Sequence, residues 1–272
     1  MKKITQVSPS PAQPLEGIQN VKHFLAVASG KGGVGKTSVA VNLALALKQQ
    51  GFHVGLLDAD VYGPSIPTML DLHYQPDASQ EMMRPAEKFG IKVMSIGFLI
   101  DESQPVIWRG PMVTKAIRQF LGKVSWGELD YLVIDLPPGT GDVSITIAKS
   151  LPGADILMVT TPQAVAVADV RRAVSMFRKI GKRVLGIVEN MSYFCCEHSD
   201  DKIEIFGKGG GEALSRELSL PLLGALPIDI ALRKCGDKGV PLMVESPDCD
   251  TAQIFTDIAH KLVTSFVGSG EK

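Results

Sequence analysis

Eight consecutive residues, Gly30-Lys-Gly-Gly-Val-Gly-Lys-Thr37, constrain this chain more than any other stretch of it. They fit the pattern G-x-x-x-x-G-K-[ST], in which glycines let successive backbone N–H groups turn toward one point and cradle a polyphosphate. The apolar run Phe24–Ala28 leads into the loop. Behind it, Val39, Ala40, Leu43, Ala44 and Leu47 recur at helical spacing up to Gly51, which is placed to cap the helix C-terminus. A strand, a glycine-rich turn and a helix in that order aim amides and the positive helix end at the same spot. Gly30, Lys31, Gly32, Gly33, Val34, Gly35, Lys36, Thr37 and the adjoining Ser38 are therefore the expected phosphate-binding residues. Lys36 is expected to neutralise the β- and γ-phosphates, and the Thr37 hydroxyl to ligate Mg²⁺.

The rest of the chain repeats the strand–helix alternation. Short apolar runs at Val54–Leu57, Val93–Phe98, Tyr131–Leu136, Ile156–Thr160, Val184–Val188 and Leu223–Leu226 read as strands. Between two of them Val167, Val170, Val174 and Phe177 mark a helix that stops at Gly181. Apolar strands alternating with helices predict an α/β fold with a doubly wound, mostly parallel sheet covered on both faces. No internal repeat or second compositional block is present. Residues 1–20, rich in Ser, Pro and Gln, read as a flexible tail, and residues 21–272 as one domain.

In a parallel sheet, the turns that follow the strands gather along one edge, where such folds bind ligands. Gly30–Thr37, Asp58 and Asp60, Asp135–Asp142, Asn190 and Pro227–Asp229 each follow an apolar run and so are expected to meet there. Segment 30–35 also satisfies the dinucleotide pattern G-x-G-x-x-G, with Asp58 as the acidic ribose ligand. Three features favour a nucleoside triphosphate. The dinucleotide pattern assigns no role to Lys36 followed by Thr37. The apolar run Tyr131–Leu136 carries Asp135 near its end, as a Walker B strand does for the magnesium shell. Asp58 and Asp60 together suit metal or water positioning better than a single ribose contact. The expected magnesium residues are Thr37, Asp58 and Asp135.

Composition removes several alternatives. With 28 Lys+Arg against 29 Asp+Glu, the formal net charge is -1, which gives no overall footprint for duplex nucleic acid. Neither a secretory h-region nor an apolar run of membrane-spanning length occurs, so a cytoplasmic protein is expected. Four cysteines in 272 residues are too sparse for a disulfide framework and are expected as reduced thiols or metal ligands.

With these residues in hand, the chain resembles the Mrp/ApbC group of P-loop ATPases, iron–sulfur cluster carriers related to MinD and ParA. The resemblance runs from about Val21 to Val240 through VASGKGGVGKTSVAVNLALAL, GLLDADVYGPSIP, WRGPM, YLVIDLPPGTGDVSIT, GIVENMSYF, FGKGGGEAL and LPIDIALRKCGDKGVP. It implies that Lys31 is the signature lysine of a deviant Walker A loop, reaching across a homodimer to the partner's ATP. It also implies that Asp60 is the switch I aspartate that positions the attacking water, and that Asp135 is the Walker B residue. Gly139–Asp142 match switch II; Asn190, Pro227 and Asp229 match the segments that hold the adenine. Catalysis would then rest on Lys31, Lys36 and Asp60, with assembly scaffolds or recipient apoproteins as partners.

Cluster-carrying members of that group show C-x-x-C after the N-M-S-Y-F segment, and two such pairs supply four thiolates to a bridging four-iron cluster. Here Cys196 matches the first cysteine, Ser199 stands at the second, and Cys195 is an additional neighbour. A serine hydroxyl is a poor ligand for a soft metal. Cys195 or His198 would have to complete the set, although adjacent residues of an extended backbone point to opposite faces. The other reading is that Cys195 and Cys196 are partly buried thiols and His198 is an ordinary loop residue. An ATP-switched positioning or scaffold protein of the MinD/ParA kind, without a cluster, is the corresponding alternative function. Against that alternative, Thr251–Val267 lacks the basic amphipathic face of a membrane-targeting helix. Cys235 and Cys249 are expected to be small buried side chains, and Trp108–Met112 has no chemical role beyond the family match.

Overall fold

The strand Val21–Ser29 (β1) organises the rest, and from Phe24 onward each of its residues is buried. In the computed structural model, which describes residues 15–77, 81–99, 110–196 and 201–267, the phosphate loop leads from β1 directly into Lys36–Gln49 (α1). The chain continues through Val54–Asp58 (β2), the short turn of helix Ile66–Met69 (α2), Ala86–Lys88 (β3), Ile91–Ser95 (β4) and Gly110–Lys123 (α3). Then follow Leu129–Asp135 (β5), Asp142–Ser150 (α4), Asp155–Thr160 (β6), Ala164–Lys179 (α5) and Val184–Glu189 (β7). A two-stranded hairpin, Phe194–Cys195 (β8) with Lys202–Ile203 (β9), precedes Gly210–Leu218 (α6), Leu222–Ala225 (β10), Ile230–Lys238 (α7), Leu242–Glu245 (α8) and Asp250–Val267 (α9).

The main sheet has eight strands in the order β10-β7-β6-β1-β5-β2-β4-β3, and every pairing is parallel except the β3 edge. From β1 the chain first moves toward β2 and later returns to build outward from β6 through β7 to β10. Right-handed crossovers therefore set α1 and α5 on opposite faces. On one face α1 is wedged between the sheet and α9, so that Val39, Ala40, Val41, Leu43, Ala44, Leu45, Ala46 and Leu47 are all buried. Asn42, buried with them, donates to the Ser38 carbonyl at 2.9 Å and accepts from the Met243 N–H at 3.2 Å. On the other face α5 packs on α6, and α3 on α4.

The expected strands occupy their expected places with one correction. The run Val93–Phe98 is strand only as far as Ser95, and Ile96–Leu99 is a 3₁₀ turn. The Ser95 hydroxyl accepts from the Gly97 N–H at 2.9 Å and bends the backbone out of the ladder. Gly51 and Gly181 adopt φ of 91° and 75°, the left-handed conformation expected of residues that end helices. The antiparallel β3 and the β8–β9 hairpin have too few alternating residues to stand out from loop in the sequence.

Residues 15–20, grouped with the tail by composition, are part of the packed structure. Ile18 is buried, Leu15 lies against the core, and the Asn20 carbonyl accepts from Leu129 N–H at 3.1 Å. Gly17 sits where an added Cβ would fall 2.4 Å from the Val124 carbonyl oxygen and 2.8 Å from that of Leu121. Residues 1–14 lie outside the described residues. Gly17→Ala is expected to lower the urea midpoint by the equivalent of about 1–3 kcal/mol, the usual penalty for forcing a methyl group into a filled site. A substitution in a flexible tail would leave the midpoint unchanged.

Candidate functional site

The carboxyl ends of the parallel strands bring Ser29, Asp58, Ser95, Asp135, Thr160 and Glu189 to one edge, and the glycine loop leaves β1 in the middle of that row. Asp58 and Asp135 are register partners on β2 and β5. Loop residues Gly33 and Gly35 take φ of 78° and 80°, conformations that a side chain would strain. Contact is the stricter constraint on two of the glycines. A Cβ on Gly35 would lie 2.2 Å from Asn190 Nδ2, and one on Gly30 would lie 2.4 Å from the Asp169 carbonyl carbon. The Ser29 hydroxyl donates to the Lys31 carbonyl at 2.9 Å, and the Gly139 N–H, from the turn after β5, donates to the Ser29 carbonyl at 2.9 Å.

Lys36, buried to 6% exposure, points into a nest of carboxylates. Its ammonium is 2.7 Å from Asp135 Oδ1 and 3.2 Å from Asp60 Oδ2, while the Thr37 hydroxyl donates to Asp135 Oδ2 at 2.7 Å. Burial works against the lysine charge, but Asp135 and Asp60 outweigh it and hold its pKa above the ordinary value. Asp58 is fully buried and accepts from the Ser95 hydroxyl at 2.9 Å and from the Ile66 and Asp60 N–H groups, each at 3.2 Å. Burial, reinforced by the Asp135 charge, pushes its carboxyl up to about 7. Three carboxylates around one ammonium leave an excess of buried negative charge, and hard oxygen donors in that arrangement suit Mg²⁺. Of the expected magnesium residues, Thr37 and Asp135 are bonded to each other. Asp58 stands beside them with its oxygens committed to β4 and to the turn after β2.

The remaining predicted residues lie around this centre. Asn190 Nδ2 donates to the Val34 carbonyl at 2.9 Å, and its N–H donates to the Thr160 carbonyl at 2.8 Å. Asp229 caps α7, accepting from the Ala231 N–H at 2.6 Å and the Leu232 N–H at 3.2 Å through Oδ1, and from the Thr251 hydroxyl through Oδ2. Pro227 stands between β10 and that cap. Lys31 and Ser38 are half-buried, Gly32 is exposed, and the Val34 side chain is buried. Cys195 is exposed in β8 and Cys196 is half-buried just after it; His198 and Ser199 lie outside the described residues, as do Trp108 and Arg109. Cys235 is buried, which raises its thiol pKa, whereas Cys249 is only partly buried and its sulfur accepts from the Ala252 N–H at 3.4 Å.

Two functional positions escaped the sequence reading. Ser95 closes an apolar run and gains meaning only from its register with Asp58. Glu189 is buried and its Oε2 accepts from the Gly211 N–H at 2.5 Å, fastening the glycine-rich start of α6 to the end of β7. The elevated Asp58 carboxyl has a consequence for stability. The folded chain holds a proton that the unfolded chain releases above its ordinary value of 3.8, so this contribution is fully present below that value and disappears as pH rises through about 7. In metal-free buffer, Asp58→Asn removes the titration. From pH 5 to 7 the variant is expected to gain on the wild type by on the order of 2 kcal/mol in denaturant unfolding.

Known proteins resemble this chain over most of its length. The ParA family model, described as a NUBPL iron-transfer P-loop NTPase, matches residues 20–263. An iron-sulfur cluster carrier protein of Synechocystis is 52% identical over 253 residues, covering 91% of this chain and 72% of its own. The carrier protein of the same description from Escherichia coli K12 is 45% identical, covering 94% of this chain and 70% of its own. Among solved structures, a nucleotide-binding protein from Archaeoglobus fulgidus in complex with ADP superposes with a TM-score of 0.75 at 40% identity, over 88% of this chain and 94% of that one. The cell division ATPase MinD of Pyrococcus furiosus shares the fold, with a TM-score of 0.67 at 23% identity over 89% of this chain and 99% of its own. The chain belongs to the ParA family of NUBPL-type iron-transfer P-loop NTPases.

Proposed function

We propose that this protein is a homodimeric carrier that binds ATP with Mg²⁺, hydrolyses it slowly, and takes part in assembling iron–sulfur clusters and passing them to recipient apoproteins in the cytoplasm. The observation that carries the reading is the placement of Cys195 and Cys196 on a hairpin that springs from Asn190, the residue whose amide rests on the phosphate loop. Two thiols per subunit become four across a dimer, the number a bridging four-iron cluster needs. Cys196 is the principal ligand in this scheme and Cys195 the second, taking the part of the cysteine that Ser199 replaces.

In the nucleotide site, Lys36 has to exchange its carboxylate partners for phosphate oxygens. Its withdrawal leaves Asp60 as an uncompensated acceptor at the rim, suited to orient a water for attack on the γ-phosphorus. The water oxygen bonds to the γ-phosphorus as the bond to the β–γ bridging oxygen breaks; one water proton stays on the phosphate, the other passes to solvent, and ADP and inorganic phosphate leave. Thr37 and Asp135, with Asp58 behind them, are the residues that hold Mg²⁺, which when bound supplies charge compensation at the phosphates. Lys31, already half-buried in the loop, acts on the partner's nucleotide. The Asn190 amide and the Pro227–Asp229 backbone border the adenine.

A membrane-positioning role fits the molecule less well. Phe255, Ile258, Ala259, Leu262 and Phe266 of α9 are buried in packing that joins the helix to α1 and β10, so this apolar face is already used. No helix among the described residues is long and apolar enough to cross a membrane.

Anaerobic reconstitution with iron and sulfide tests the cargo. The wild type should retain iron and acid-labile sulfide, Cys196→Ser should lose most of it, and Cys235→Ser should keep it. Equal iron in Cys196→Ser and wild type would rule out cluster carriage at this hairpin. For the ATPase, Lys31→Ala is expected to cut turnover by roughly tenfold or more while equilibrium ATP binding changes little, because a residue acting in trans chiefly serves the transition state. Loss of binding in step with turnover would place Lys31 on its own subunit's nucleotide instead.

A further inference from the structure

The hairpin that carries Cys195 and Cys196 is tied at both ends to two adjacent residues, Glu189 and Asn190. On the outgoing side, Asn190 Nδ2 donates to the Val34 carbonyl of the phosphate loop at 2.9 Å. The fit is close, since Gly35 has no room for a Cβ beside that amide, whose nitrogen would be 2.2 Å away. On the returning side, Glu189 Oε2 accepts from the Gly211 N–H at 2.5 Å. Between the anchors, Met191 is held at φ of 56°, an uncommon conformation for a long side chain. The Ser192 N–H then donates to the Leu226 carbonyl at 2.9 Å and the Ile228 N–H to the Tyr193 carbonyl at 2.7 Å. Hydrogen bonds joined by short stretches of backbone thus run from Val34 in the loop to the base of β8.

A loop that turns its N–H groups inward toward phosphate turns carbonyls outward. Val34 presents such a carbonyl, and Asn190 is what it meets. We propose that Asn190 is a positioning residue that couples occupancy of the phosphate loop to the cysteine hairpin. A nucleotide that fixes the loop fixes the Val34 carbonyl, steadies Asn190 and the strained Met191 turn, and keeps the half-buried Cys196 thiol less accessible. Departure of the nucleotide loosens the same series and exposes it. This deepens the carrier reading by naming its regulatory link, but the link concerns thiol exposure and does not require that a cluster be bound.

The test uses the full-length protein without iron, with Mg·ADP as the probe, at concentrations where sedimentation shows it to be monomeric, so that closure of a dimer cannot shield the thiols. Site-resolved alkylation is read by peptide mass spectrometry, with buried Cys235 as internal reference. In the wild type, saturating Mg·ADP is expected to slow modification of half-buried Cys196 by about threefold or more, as for a segment whose local opening is suppressed. In Asn190→Ala, held at its own saturating Mg·ADP, the slowing should vanish. An unchanged rate in the wild type, or equal slowing in wild type and variant, overturns the proposal. Should Asn190→Ala not fold, amide exchange in the wild type decides the question. Added protection at Ser192 with Mg·ADP supports the link, and protection confined to residues 30–38 and the 227–229 segment refutes it. Iron binding together with no coupling would sink this proposal alone. Coupling together with no iron binding would sink the carrier reading alone.

Discussion

The ion pairs of Lys36 with Asp135 and Asp60 govern the chemistry of this edge. An ammonium at 6% exposure is tolerated only because two carboxylates, Asp135 and Asp60, accept from it. The carboxylates in turn are tolerated because of the lysine, and Asp58, which has no such direct partner, gives way by holding its proton toward neutral pH. Such a nest is poised for exchange. A polyphosphate offers the lysine new oxygens and a divalent cation offers the carboxylates a new positive charge, so the two are better accommodated together than singly. Binding of the metal–nucleotide complex follows from electrostatics that already have to be satisfied within the chain.

That nest depends on the order of the strands. Asp135 faces Lys36 because β5 lies beside β1, and Asp58 faces Asp135 because β2 lies beside β5. Neither neighbour of β1, β5 or β6, is the next strand in sequence, so residues far apart in the chain meet only through the parallel crossovers. The backbone contributes as directly as the side chains do. Ala59 N–H donates to the Asp135 carbonyl at 3.0 Å and Leu136 N–H donates to the Val27 carbonyl at 3.0 Å, which carries the register past the ends of the strands into the turns that hold the chemistry.

This explains which parts were legible in the sequence. The glycine loop, the seven principal strands and the convergence of Asp58, Asp60, Asp135 and Asn190 are local patterns multiplied by one topological rule, and each could be read from short segments. Ser95 could not, because a serine ending an apolar run acquires its role from a cross-strand partner. Glu189 could not, because its carboxylate serves a helix start beyond an intervening hairpin. The 3₁₀ turn at Ile96–Leu99 is apolar for the same reason a strand is, and composition cannot separate the two. Residues 15–20 carry tail-like neighbours but contain Ile18 and a Gly17 seated against α3, a tertiary fit that no compositional window registers.

The division of labour at the end of β7 bears on how a phosphate loop and a cysteine-bearing hairpin share one scaffold. Side chains of successive residues in a strand point to opposite faces, and Glu189 and Asn190 diverge accordingly, one toward the start of α6 and the other toward the phosphate loop. A segment inserted after them begins at the nucleotide and returns to the helix beside it, whatever lies at its tip. The hairpin can therefore vary in sequence without disturbing the loop geometry that Gly35 and Asn190 enforce. Conversely, a change at Asn190 would be felt on both sides at once. The loop and the hairpin are separable in composition and joined by the hydrogen bonds of two successive residues.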